Sequence, residues 1–504
     1  MGVNFSRWLL SLLYLTSVPV FAQASQDATE KMNLNPHVTI AQGTLDGVQS
    51  ASVLSFKGIP YAQPPVGKLR WAPPQPLAPS MQMQPAKTYG ASCPQRNKKA
   101  TREDCLYLNV FSPIAHTTAA LPVLVWIHGG GYVGGSGNLS DDAIRHLVGQ
   151  NMLLVSFNYR LGALGIFAPE QLKTPSGNNF ALMDMVAALK WVQQNIAAFG
   201  GDPNRVTIAG GSAGGMAVQL LMATPDSNGL FQRAISQSGY GAWPLPRTSN
   251  VTTLAGSPSA NAIADGIIHR ASQTSQTATD ARALYALNAS DLVNAVSGFH
   301  LPIVDGITLP EEPAVMFLRG QQHPVAYISG GNSYDGSVYP YSGVPAAKLT
   351  DLVADLVPNV SQTYQLQQPG FDSLSYQHLF GDLRYLLAGA ITSGAMQTAH
   401  TPGYRYFFAH SNDARGAHHG AEVDALFHPA NSQAIAMMQG YWRHFIESGN
   451  PNSEDLPEWQ PVNSQQQNWL VIDNSIHAEP QIRPQKLTLL KQAYLHRVSS
   501  LLGN

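Results

Sequence analysis

The 504-residue chain carries 29 Lys and Arg against 31 Asp and Glu, a formal charge of −2, which excludes the basic footprint of a nucleic-acid partner or an anionic membrane surface. Charged residues make up 12% of the chain, about half the usual share, while 44% is hydrophobic and aromatics are plentiful, so disorder is excluded as well. What remains is a chain large enough for one α/β sheet enzyme with insertions.

The first 24 residues read as a secretory leader. Arg7 supplies positive charge, residues 8–18 form an apolar stretch, and Ala22-Gln23-Ala24 is a small-residue cleavage site, so the mature chain, 25–504, is expected to begin near Ser25. The apolar stretch is shorter than the ~20 residues a spanning helix needs, and no later segment is longer, so export without integral membrane association is expected, to a periplasm or the medium. Cys93 and Cys105 are the only cysteines, and in an exported chain they are expected to form a disulfide. Asn138, Asn250, Asn288 and Asn359 stand in Asn-x-Ser/Thr sites, which fit eukaryotic secretion, whereas the leader fits a bacterial exported protein equally well.

Short β-rich apolar runs at 122–127, 153–158, 206–209, 234–237, 325–330, 404–410 and 469–473 alternate with longer helical patterns, which predicts a mostly parallel central sheet flanked by helices. Between them, Met185, Ala188, Leu189, Val192 and Ile196 recur at three- and four-residue spacing, predicting a helix over 184–199 that stops at Gly200-Gly201. The stretch from 246 to 298, rich in Ser, Thr and Ala, interrupts the strand series and is read as part of a helical cap, with 273–279 as a surface loop.

The run VTIAGGSAGGM from Val206 places Gly210, Ser212 and Gly214 where a strand passes into a helix. A serine on such a strained turn needs small neighbours for its hydroxyl to stand clear, and the helix N-terminus behind it favours developing negative charge. Upstream, His128-Gly129-Gly130-Gly131 follows an apolar strand directly, a candidate oxyanion loop. A serine hydroxyl needs a general base, itself oriented by a carboxylate, and in this architecture the order is nucleophile, acid, base. His418 and His419, in a glycine-bounded loop after the 404–410 strand, are both candidates for the base; Asp335, after the 325–330 strand, is favoured as the acid over Asp305.

Together with FKGIPYAQPPVGKLRW from Phe56, EDCLYLNVFSP from Glu103, NYRLGALGIF from Asn158 and YWRHFIESGNPN from Tyr441, these segments resemble the type-B carboxylesterase and cholinesterase family of the α/β-hydrolase fold. The resemblance implies a single domain with helical cap segments around 240–300 and 340–400. It implies a serine hydrolase cleaving small carboxylic esters through an acyl-enzyme, without metal or organic cofactor. Ser212 takes the place of the nucleophile, Asp335 of the acid, and the N-H groups of Gly130, Gly131 and Ala213 of the oxyanion hole. The family pattern Gly-x-x-His-Gly-x-Glu, matched by Gly416, Gly420 and Glu422, puts His419 rather than His418 in the place of the base, and leaves Asp305 structural. Cys93 and Cys105 match the family's first disulfide. Gly211 stands where the family usually has Glu, Phe180 where it has Gly, and the short segment between the cysteines offers Lys98 and Lys99 but no Trp. Cholinesterase activity is therefore not expected. A non-catalytic binding protein of the same fold is the rival reading, disfavoured because every catalytic position is filled; amide, carbamate or polyester bonds are rival substrates for the same residues. The sequence sets neither acyl preference nor oligomeric state.

Overall fold

A computed structural model describes residues 35–503, apart from 97, 99, 115–118, 173, 249–257, 273–279, 464 and 466. The leader, the surface loop at 273–279, Asn250 and Lys99 lie outside the described residues.

In chain order the described strands are β1 (His37–Ile40), β2 (Gly43–Asp46), β3 (Val48–Gln49), β4 (Val53–Pro60), β5 (Met83–Pro85), β6 (Tyr107–Pro113), β7 (Leu121–Ile127), β8 (Leu153–Phe157), β9 (Gly201–Gly211), β10 (Arg233–Gln237), β11 (Ala326–Asn332), β12 (Gly403–Phe408), β13 (Trp469–Ile472) and β14 (Ile476–Glu479). β1, β2 and β5 make a small separate sheet. The others form one sheet in the order β14-β13-β12-β11-β10-β9-β7-β8-β6-β4-β3. The runs read as strands from the sequence are the mutually parallel ones, β8-β7-β9-β10-β11-β12-β13.

Antiparallel strands extend this sheet at both ends, where the sequence carries no clear strand pattern. The physical reason is visible in β4. It buries Val53, Phe56 and Ile59 at every third position, and its register with β6 shifts between Phe56 and Ile59, so the two-residue alternation that marks a strand is broken. At that irregularity the Gly58 N-H is taken by the side-chain oxygen of Asn109 in β6, 2.9 Å away, and the polar Asn109 in turn interrupts the apolar pattern of β6.

Alternate side chains of the parallel strands enter separate cores. Val123, Val125 and Ile127 of β7 pack on one face with Met185, Leu189 and Val192 of the helix Phe180–Asn195 and with Met216 and Leu220 of the helix Ala213–Ala223. Leu124 and Trp126 face the other way, toward Ile144 and Leu147 of the helix Asp141–Val148 and Met438, Trp442 and Phe445 of the helix Gln433–Ser448. The sheet is thus a middle layer between two helical ones. The helix expected over 184–199 begins earlier, at Phe180, and runs through a 3-10 turn, Ile196–Phe199, to a left-handed Gly200. The preceding Asn179 makes no capping bond, because its side-chain oxygen accepts from Ile303 N at 2.8 Å instead.

Cys93 and Cys105 form a disulfide, as expected. Closing this short loop contributes about 2 to 3 kcal/mol in the chain-entropy account. It clamps the entry to β6, where Cys105 O also accepts from the Asn158 side chain at 3.2 Å. Among the described residues no helix is long and apolar enough to cross a membrane. Helices Ala260–Ala271, Ala281–Ala286 and Ala289–Asn294 follow β10 and share a core with Trp71, Leu164 and Phe167. Helices Val357–Tyr364, Leu374–Gly381 and Leu387–Ala395 lie between β11 and β12.

Candidate active site

Parallel strands deliver the loops that follow them to one edge of the sheet, and here β7, β9, β10, β11 and β12 deliver the glycine loop, Ser212, Ser238, Asp335 and His419 to the same edge.

Because β9 ends at Gly211 and a helix starts at Ala213, Ser212 must reverse the chain by itself. It does so at φ 58° and ψ −119°, a backbone state that costs a residue with a side chain roughly 1 to 3 kcal/mol. The turn is held by the Ser212 N-H donating to Gln237 O at 2.8 Å and by Ser212 O accepting from Met216 N at 2.8 Å. The flanking glycines are there for space. A Cβ on Gly210 would lie 2.5 Å from the Gly214 carbonyl carbon, and one on Gly214 would lie 2.0 Å from Ile127 O, a backbone atom of the neighbouring strand. Gly214→Ala is therefore expected to destabilise the protein by about 3 kcal/mol, since neither partner is a flexible side chain. Equilibrium urea unfolding checks this, and an unchanged midpoint would reject the packing argument.

The glycine loop closes over this turn: a Cβ on Gly129 would sit 3.3 Å from the Ser212 Cβ. Gly130 and Gly131 adopt positive φ, 109° and 61°, which turns their peptide units away from β7. Their carbonyls are occupied, that of Gly130 by the N-H groups of Val133 and Gly134 and that of Gly131 by His300 N at 2.9 Å. The N-H groups of Gly130, Gly131 and Ala213 donate to no acceptor among the described residues. His128 is buried and stacked on Tyr159, 4.2 Å between ring centres, and burial brings its pKa down to about 4. It is a neutral structural ring whose Nδ1-H donates to Gly129 O.

Beyond β12 the chain loops back so that the Tyr334 N-H donates to Ala417 O and the Ser337 hydroxyl takes the His419 N-H. This register settles which of the adjacent histidines faces the carboxylate. His419 Nδ1-H donates to Asp335 Oδ1 at 2.7 Å, while the His418 side chain is exposed. His419 Nε2 is buried without a protein partner. Gly211 links this loop to the serine turn: a Cβ there would meet Val423, four residues past His419, at 2.7 Å. The position where the family usually has Glu is thus filled by packing from the histidine loop.

Asp335 is buried and its carboxylate accepts from Asn332 N at 2.7 Å and from the Ser238 hydroxyl at about 3 Å, besides His419. Ser238 also lies 3.0 Å from Glu422, and Glu422 accepts from the Asn332 side chain. Burial, reinforced by the charge of Asp335, pushes Glu422 up to about 7. Two carboxylates thus share one serine and one asparagine, and it is Glu422 that burial and its neighbour's charge drive toward the protonated form. Ser238 entered the reading of the sequence only within the run AISQSG from Ala234 that resembles the family, Glu422 only to fix register, and Asn332 was given no role. Asp305, by contrast, spends both oxygens on its own loop and its neighbour, accepting from the N-H groups of Ile307, Thr308, Leu309 and Asn178.

Residues 34–490 match the model of the carboxylesterase family. Among curated proteins, the chain is 31% identical to an acylcarnitine hydrolase of Mus musculus, with 89% of each chain covered. It is 33% identical to a fumonisin B1 esterase of Sphingopyxis macrogoltabida, covering 91% of this chain and 89% of that one. Among solved structures, a PNB esterase superposes with a TM-score of 0.77 at 28% identity, over 90% of this chain and 99% of its own. A carboxylesterase of Geobacillus stearothermophilus does so with 0.76 at 26% identity, over 90% and 99%.

Proposed function

The chain belongs to the carboxylesterase family and hydrolyses carboxylic esters, and from that premise we propose that it does so through Ser212, His419 and Asp335. The observation that carries the assignment is His419: its Nδ1-H is held by a buried carboxylate, and its Nε2 is buried with no hydrogen-bond partner among the described residues, in a segment whose Val423 packs against Gly211 of the serine turn.

In this reading Ser212 Oγ attacks the ester carbonyl as His419 Nε2 takes its proton, forming a tetrahedral oxyanion that receives the N-H groups of Gly130, Gly131 and Ala213. The intermediate collapses to the acyl-serine, and the alcohol leaves with the proton from His419. Water then attacks the acyl group, deprotonated by the same nitrogen, and the carboxylic acid departs. Asp335 keeps the proton on Nδ1 and stabilises the imidazolium. A protonated Glu422 leaves a single charge in that buried pocket, which Ser238 and Asn332 hold in place. The helices at 240–300 and 340–400 are read as the cap over this edge of the sheet. The bridge between Cys93 and Cys105 supports the export that the leader implies.

The test is intact-mass labelling with a fluorophosphonate, followed by peptide mapping, alongside hydrolysis of nitrophenyl esters of increasing acyl length. One adduct per chain, on Ser212, with turnover peaking at one acyl length is expected. Turnover with the adduct on another serine would reject the assignment.

A further inference from the structure

Arg384 lies in a π-helical turn, Asp382–Leu386, and is 1% exposed. A guanidinium so deeply buried normally has a carboxylate partner, as Arg160 has Asp184 and Arg247 has Glu311. Arg384 has none among the described residues, and its Nε and Nη2 are buried without any acceptor. What surrounds it instead is aromatic. Its Cζ is 3.9 Å from the ring centre of Tyr240, 4.7 Å from Trp243, 5.7 Å from Phe299 and 5.8 Å from Tyr385. Attraction to the ring faces recovers only part of the hydration such a cation loses, and ring faces do not satisfy in-plane N-H donors.

The position of this cation relates it to the reaction centre. The Phe299 ring lies against the oxyanion loop, 2.4 Å from where a Gly131 Cβ would stand, and the Tyr385 ring centre is 4.6 Å from that of His419. Arg384 is therefore one aromatic ring removed from both the oxyanion loop and the base. The Tyr132 hydroxyl is also buried with no partner, and the hydroxyls of Tyr240 and Tyr385 lie beside the guanidinium with their own O-H groups left to donate, so further donors accompany Nε and Nη2. Burial raises the pKa of Tyr240 and keeps its hydroxyl protonated, while the charge of Arg384 opposes that rise.

We propose that Arg384, with the hydroxyls of Tyr132, Tyr240 and Tyr385, forms an anion subsite, and that the esters this enzyme prefers carry a free carboxylate that pairs with it. This rests on the Ser212 reading above and names the substrate class for it: monoesters of short dicarboxylic acids, or esters of a carboxylate-bearing alcohol. A carboxylate accepts two parallel N-H bonds from a guanidinium, the geometry left open by the unsatisfied Nε and Nη2.

Three esters test it on the purified full chain: monoethyl glutarate, with the carboxylate on the acyl side; butanoyl-glycolate, with it on the alcohol side; and neutral ethyl pentanoate. At least one anionic ester is expected to exceed ethyl pentanoate in kcat/KM by about tenfold or more, and which one does assigns the side. In Arg384→Gln that ratio is expected to fall by roughly tenfold to a hundredfold, and Arg384→Lys, which keeps the charge but not the fork, to give an intermediate ratio. Should the Gln variant not fold, Tyr240→Phe reads the same ratio, with a severalfold fall expected. The inference is overturned if the wild type shows no preference for either anionic ester, or if the ratio survives in the variants. Turnover of ethyl pentanoate with a Ser212 adduct but no anionic preference would sink this subsite alone; no turnover of any ester and no adduct would sink the reading beneath it.

Discussion

Ser212→Ala is expected to lower kcat by at least about 10⁴-fold on any ester while leaving the unfolding midpoint unchanged. The two halves of that expectation have separate grounds. The hydroxyl is the only group on the strained turn that can form the acyl bond. Its loss does not disturb the turn, because the bonds that hold it run through the backbone N-H and carbonyl of residue 212, to Gln237 and from Met216. Alanine also keeps the Cβ, so the cost of the positive φ is the same in both proteins. Steady-state kinetics with a nitrophenyl ester and a thermal melt decide the matter together. A variant within tenfold of wild-type rate would remove Ser212 from the chemistry, whereas loss of both rate and stability would make the serine structural.

Asp335→Asn is expected to cost about 10⁴-fold in kcat with little change in KM. The carboxylate at 335 only accepts hydrogen bonds, and it does so from His419 Nδ1-H, Asn332 N and Ser238. An amide of the same shape presents one acceptor and one donor. Whichever way it is turned, an N-H group confronts another donor, and the low-cost escape is for His419 to move its proton from Nδ1 to Nε2. That tautomer cannot take the serine proton. Asp335→Glu preserves the acceptor character and is expected to retain much more activity than Asp335→Asn. Equal losses in the two variants would mean that the position is sensitive to shape and not to charge.

Much of the fold was legible in the sequence, and the reason is local. The parallel strands β7 to β13 are continuous apolar runs because both of their faces are covered, and such runs stand out against their flanks. The antiparallel edges do not: β4 carries its buried residues at every third position around a register shift, and β6 includes Asn109, whose side chain is there to satisfy Gly58. The serine turn and the glycine loop were legible because tight backbone geometry demands glycine at fixed spacing, and Gly210 and Gly214 would each drive a Cβ into backbone.

By itself, then, the sequence determined a layered parallel-sheet hydrolase with a serine turn, a glycine loop and a short list of candidate acids and bases, since each of these is encoded by neighbours along the chain. Tertiary structure alone decided which atoms meet. The side chain of His419, not that of His418, reaches Asp335 across 84 positions of sequence, and Ser238 reaches Glu422 across 184. Arg384 stands among aromatic rings with no counter-charge among the described residues. These relations belong to strand ends and helices gathered at one edge of the sheet, where pairing and its absence depend on distance in space, a quantity that local sequence pattern does not encode.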